Sequence, residues 1–173
     1  MKRSIIAAAA GAALLVSAAP ASAATSASGA QPASANVEAT VEATLPTAEI
    51  AFGNIPVGAT GTEKPASISV NSNATWGATI LANNANMQEW DTTYAAQPGG
   101  AELTNAFEWK LGGGTYANIT TTAASVVTGQ PVTGATPATV ALSFRQKASF
   151  ADTVLTGGPK YRLDLTYAVG QGL

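Results

Sequence analysis

The sequence predicts an all-β protein, a single antiparallel sandwich of about seven to nine strands. Three observations predict it. Apolar residues recur at every second position in short runs, the runs are separated by glycine and proline, and the three- and four-residue spacing of helices is nearly absent.

In chain order, the first element is not a strand. Lys2 and Arg3 form a positive head, Ile5 to Val16 an apolar run, and Ala21-Ser22-Ala23 a small-residue cleavage site. Residues 1–23 therefore read as a signal peptide, with the mature chain beginning at Ala24. That run is too short for a bilayer span of about 20 residues, and no later stretch approaches one. The mature chain is expected to be exported, with no membrane insertion, to the extracellular space, the cell surface or a periplasm. Residues 24–35, ATSASGAQPASA, have no large apolar side chain and read as a flexible leader.

Residues 36–45, NVEATVEATL, form the first expected strand. Val37, Ala39, Val41, Ala43 and Leu45 share one face, while Glu38, Thr40, Glu42 and Thr44 share the other. Pro46 has no N–H to give a ladder, so this strand is set apart from a sandwich domain over 46–173. Whether its apolar face fills its own core or that of another molecule is open at this point.

Further alternation predicts strands at Thr47–Phe52, Ala66–Val70, Ala74–Leu81, Phe107–Leu111, around Val140, Leu142 and Phe144, and at Tyr161–Val169. Weaker segments lie at Tyr116–Thr120 and Ala124–Val127. Gly99-Gly100, Gly112-Gly113-Gly114 and Gly157-Gly158-Pro159 supply the turns. Leu81–Glu102 is the least regular stretch, expected to be a long loop with room for one helical turn at Met87–Trp90. This count and spacing of strands indicates the immunoglobulin-like type of sandwich.

The composition narrows the chemistry. The chain has no cysteine and no histidine, which removes disulfides, thiolate or imidazole metal sites and the usual Ser-His-Asp and Cys-His nucleophiles. With Lys2 and Arg3 gone, six Lys plus Arg stand against ten Asp plus Glu, a net charge of about −4 on the mature chain. A sparse, weakly acidic surface repels phosphate backbones and anionic lipid, so neither nucleic acid nor membrane is an expected partner. No cofactor, metal or catalytic residue is expected.

Two carboxylates suffice for a glycosidase, and Glu89, Asp91, Glu102 and Glu108 stand near Trp90, Tyr94 and Trp109. Most of the aromatic residues, Trp76, Phe107, Trp109, Phe144 and Tyr167, fall on the aliphatic faces of their strands and read as core. Trp90 breaks this pattern. Glu89, Trp90, Asp91 and Tyr94 are the candidate contacts for a ligand such as a glycan. Asn73-Ala74-Thr75 and Asn118-Ile119-Thr120 are acceptor tripeptides for N-glycosylation at Asn73 and Asn118.

The stretches AEIAFGNIPVG, ISVNSNATWGATI and FADTVLTGGPKYRLDLTYAV resemble the small exported sandwiches of the spore-coat-U and secreted-pilin type. A second resemblance, through Phe52-Gly53, Trp76, Trp109-Lys110-Leu111 and the closing Tyr161 strand, is to WxL-type cell-surface domains and archaeal surface domains. These resemblances imply a non-enzymatic structural protein of the cell surface or of a filament, whose partners are copies of itself or other surface proteins, joined by donation of the N-terminal strand. A secreted carbohydrate-binding module built on Trp90 and its neighbouring carboxylates is the alternative.

Overall fold

The computed structural model describes residues 33–91 and 100–173. The expected signal peptide, most of the leader and Tyr94 lie outside the described residues. Val37–Leu173 forms one unit; of the other, Met1–Asn36, residues 33–36 are described and are exposed, without regular structure.

The described residues contain ten strands and no helix. In chain order they are β1 (Val41–Thr44), β2 (Lys64–Ser72), β3 (Trp76–Ala82), β4 (Gln88–Trp90), β5 (Glu108–Leu111), β6 (Ala117–Asn118), β7 (Ala124–Gln130), β8 (Ala138–Arg145), β9 (Lys160–Arg162) and β10 (Leu165–Gly170). All pairings are antiparallel. One sheet has the order β1-β2-β8-β5-β6, a second the order β10-β3-β7, and β4 pairs with β9 in a separate ribbon.

Alternation places one face of each main sheet in a shared core. Ile68 and Val70 of β2, and Val140, Leu142 and Phe144 of β8, are buried together with Trp76, Ala78 and Ile80 of β3 and Val126 of β7. Two antiparallel sheets filling one buried cluster are compatible with a sandwich. Phe107 completes the cluster, stacked on Phe144 with ring centroids 5.6 Å apart and meeting Phe52 edge-on at 5.9 Å. Each such side chain contributes about 1.5–3 kcal/mol by leaving water. Trp76 also satisfies its indole, whose N–H donates to Pro131 O at 3.0 Å. Gly112, at φ 51°, turns the chain from β5 toward β6 in a conformation that most side chains resist.

The structure corrects four expectations. Thr47–Phe52 forms no strand, although Ile50 and Phe52 pack on the core: the alternation recorded which side chains are covered, not which backbone groups are paired. Met87–Trp90 makes no helical turn, and Gln88–Trp90 is instead β4, opposite Arg162, Tyr161 and Lys160 of β9. The expected closing strand, Tyr161–Val169, is two strands. At Asp164, which accepts from Arg162 Nε and Nη2 at 3.0 and 2.8 Å, the chain leaves β4 and crosses to β3. Lastly, the ladder of the first strand covers only Val41–Thr44 rather than residues 36–45.

Candidate functional site

Two places in the molecule gather the residues that the sequence singles out. The first is the β1 edge. Val41, Glu42, Ala43 and Thr44 face Ser72, Asn71, Val70 and Ser69 of β2, and among the described residues no strand pairs with the other side of β1. Of the five apolar positions, only Val41 is half-buried against the core. Val37 is 86% exposed, Leu45 37%, and Ala39 and Ala43 are exposed as well. The apolar face expected of this strand is therefore present but only partly covered, at Val41 and Leu45, because β1 lies at the margin of its sheet.

A side-chain clip holds the entry to β1. Asn73, in the turn between β2 and β3, accepts from Thr40 N–H through Oδ1 at 2.7 Å, and its Nδ2 donates to Glu38 O at 2.8 Å. Its own N–H donates to Thr40 O at 3.2 Å. Asn73 entered the sequence reading only as a glycosylation acceptor; the signal for the clip was its place in a Ser-Asn turn, where asparagine amides bond nearby backbone. Its Nδ2, the atom a glycan would take, is engaged by Glu38 O in the segment leading into β1. Asn118, the second acceptor, is exposed on the edge strand β6.

The second place is a cleft of about 590 Å³ between the β4–β9 ribbon, the start of β10 and Pro46–Ile50. Its apolar lining comes from Ile50, Met87, Phe107, Leu163, Leu165 and Tyr167. Trp90, Asp91, Lys160, Arg162 and Asp164 bring an aromatic plane and charges of both signs to the same cleft. Trp90 and Arg162 lie on one side of the ribbon, two residues apart across it, so the guanidinium sits 4.5 Å from the Trp90 ring centroid. The Trp90 indole N–H is buried and has no hydrogen-bond partner among the described residues. Burial pushes the Tyr167 hydroxyl up to about 12, so it stays protonated and able to donate at any ordinary pH.

Trp90 and Asp91, both singled out by sequence, thus meet in this cleft. Glu89 does not join them: strand alternation turns it away, and its carboxylate accepts from Ala101 N–H at 3.0 Å. Tyr94 lies outside the described residues. Lys160, Arg162, Asp164 and Tyr167 were not singled out as site residues. The signal available was the pair of charges at Arg162 and Asp164 on the polar face of an otherwise apolar run.

The remaining carboxylates serve other contacts. Glu102 accepts from Asn84 Nδ2 at 3.3 Å. On the outer face of the larger sheet, Glu108 pairs with Arg145 at 2.7 Å and Lys147 at 3.6 Å. Beside them Tyr116 donates to Glu63 Oε2 at 2.6 Å, Lys110 reaches the same oxygen at 2.9 Å, and the Arg145 guanidinium lies 3.8 Å from the Tyr116 ring centroid. The Tyr116 hydrogen bond, followed by that of Lys110, holds the Glu63 carboxyl down at about 2. Glu108 is thus engaged by two cations, and Glu63 by a cation and a phenol. No protein-family model matches the chain, and no curated protein matches its sequence.

Proposed function

We propose that the chain is an exported, non-enzymatic structural protein of the cell surface or of an extracellular filament, with an immunoglobulin-like sandwich whose copies join by donating residues 36–45. The observation that carries this is the uncovered alternation of the first strand: Ala43 is exposed within the home ladder, and Val37, Ala39 and Leu45 are exposed on either side of it. An apolar face that its own domain leaves in water gains by meeting the surface of a second copy.

The local energetics of exchange onto the same slot nearly cancel. Leaving home breaks a four-residue ladder, the Asn73 clip and the half-burial of Val41. Docking on the β2 edge of another copy remakes each of these, so the ladder and clip cancel and the balance passes to concentration and to new contacts between copies. Ile50 is anchored on the core and residues 47–49 are exposed, which leaves Pro46–Glu49, with Leu45 the last donated residue, as the five-residue reach from Leu45 to Ile50. Five residues reach at most about 16–18 Å when extended. Glu38 and Glu42 on the other face discourage indiscriminate edge pairing while the strand is in transit.

Size-exclusion chromatography and electron microscopy of the purified mature protein test the proposal. Higher-order species that vanish on deletion of residues 24–45 are the expected result. Assembly unchanged by that deletion, or a protein that stays monomeric at every concentration, contradicts it.

A further inference from the structure

We infer that the cleft between the β4–β9 ribbon and Pro46–Ile50 binds an uncharged oligosaccharide, with Trp90 as the residue its sugar rings meet. Its size, about 590 Å³, lies within the roughly 300–1,000 Å³ of small-ligand sites. Its lining has the two faces a sugar requires. Trp90 and Tyr167 offer aromatic surface to the C–H face of a pyranose. Asp91 and Asp164 supply acceptors, and Lys160 and the Tyr167 hydroxyl supply donors, at the same surface.

Charge selects the class of ligand. Glu49, Asp91 and Asp164 stand against Lys160 and Arg162, so the lining has no strong net sign with which to hold an anion or a cation. An uncharged ligand rich in hydroxyls, able both to donate and to accept, meets both signs at once. A strand of valine and alanine laid in the cleft would instead take these charges from water without replacing their hydrogen bonds, a costly exchange. Pro46 has no N–H, so a strand added along this wall would lack a ladder bond there.

Titration of the purified mature protein with cello-, xylo-, manno- and chito-oligosaccharides of four to six sugars, followed by tryptophan fluorescence and calorimetry, tests this. Trp76 and Trp109 are buried in the core, so a ligand-dependent change reports on Trp90. Saturable binding of at least one series is expected, weakened at least tenfold in Trp90→Ala and several-fold in Asp91→Asn, with the melting transition retained in at least one variant. Absence of saturable binding in all four series overturns the inference. So does binding that neither variant changes, or displacement of the sugar by a peptide of residues 36–45, which would make the cleft a strand acceptor. Assembly measured on the same variants is expected to be unaltered, so loss of sugar binding and loss of strand donation are read separately.

Discussion

β1 and β2 are adjacent in one sheet, and both alternate apolar and polar residues, yet they meet opposite environments. In β2, Ile68 and Val70 are fully buried and Ser72 nearly so. In β1, Val41 alone reaches the core, and Ala43 beside it is exposed. The difference lies in what stands across from each strand. β2 is flanked by β8 and covered by the opposite sheet, whereas β1 has, among the described residues, one ladder partner and only Val41 against the core. Alternation therefore specifies that a strand has an apolar face, while position in the sheet decides how much of that face its own domain covers. That uncovered remainder is the physical basis of the proposal that copies join through β1.

The contrast can be broken or sharpened by substitution. The largest effect is expected from Phe144→Ala, which removes a ring packed on Phe107 and should cost about 3–5 kcal/mol in denaturant unfolding. Val41→Ala, the corresponding truncation in β1, should cost less than about 1 kcal/mol. Equal losses at the two sites would erase the distinction between core strand and marginal strand. Asn73→Ala should cost about 1 kcal/mol through the two bonds to β1 and should raise the hydrogen-exchange rate of β1 amides selectively; unchanged exchange there would show that the clip holds nothing.

Acid provides a perturbation on the opposite margin of the sheet. The Glu63 carboxyl is held at about 2 by Tyr116 and Lys110, below its value in an unfolded chain near 4.5. A depressed carboxyl stabilises the fold above the unfolded value, and that contribution is lost as the pH falls from about 4.5 towards 2. Thermal melts should decline over that window, and Glu63→Gln should flatten the decline. A decline of the same shape in the variant would remove Glu63 from the account. The smallest effect on stability, within about 0.5 kcal/mol, is expected for Val37→Ser, since that side chain is already in water. Its effect on assembly should be far larger than its effect on unfolding.

The fold was legible wherever alternation coincided with burial: β2, β3 and β8 follow the apolar positions of Ile68, Ile80 and Leu142 closely. It was illegible where side-chain and backbone requirements part. Ile50 and Phe52 are covered without joining a ladder, and β4 joins one with only half-buried residues, so neither announces its state in the sequence. Of the cleft, Trp90 was legible because a large aromatic residue stood between two carboxylates in an irregular stretch. Arg162 and Tyr167 come to it through the crossing of β9 to β10, and that crossing is set by the tertiary bonds between Asp164 and Asn83.

Covalent capture tests the central claim most directly, because the chain has no cysteine of its own to interfere. Glu42 and Asn71 face each other across β1 and β2, and opposed residues in an antiparallel pair lie about 4.5–5.5 Å apart, within the range a disulfide spans. A protein carrying both Glu42→Cys and Asn71→Cys, allowed to assemble, oxidised and run on a non-reducing gel, records whether each strand pairs at home or abroad. Strand donation predicts a ladder of dimers and larger species that collapses to monomer on reduction. Oxidised monomer alone, from a sample that had assembled, would contradict it.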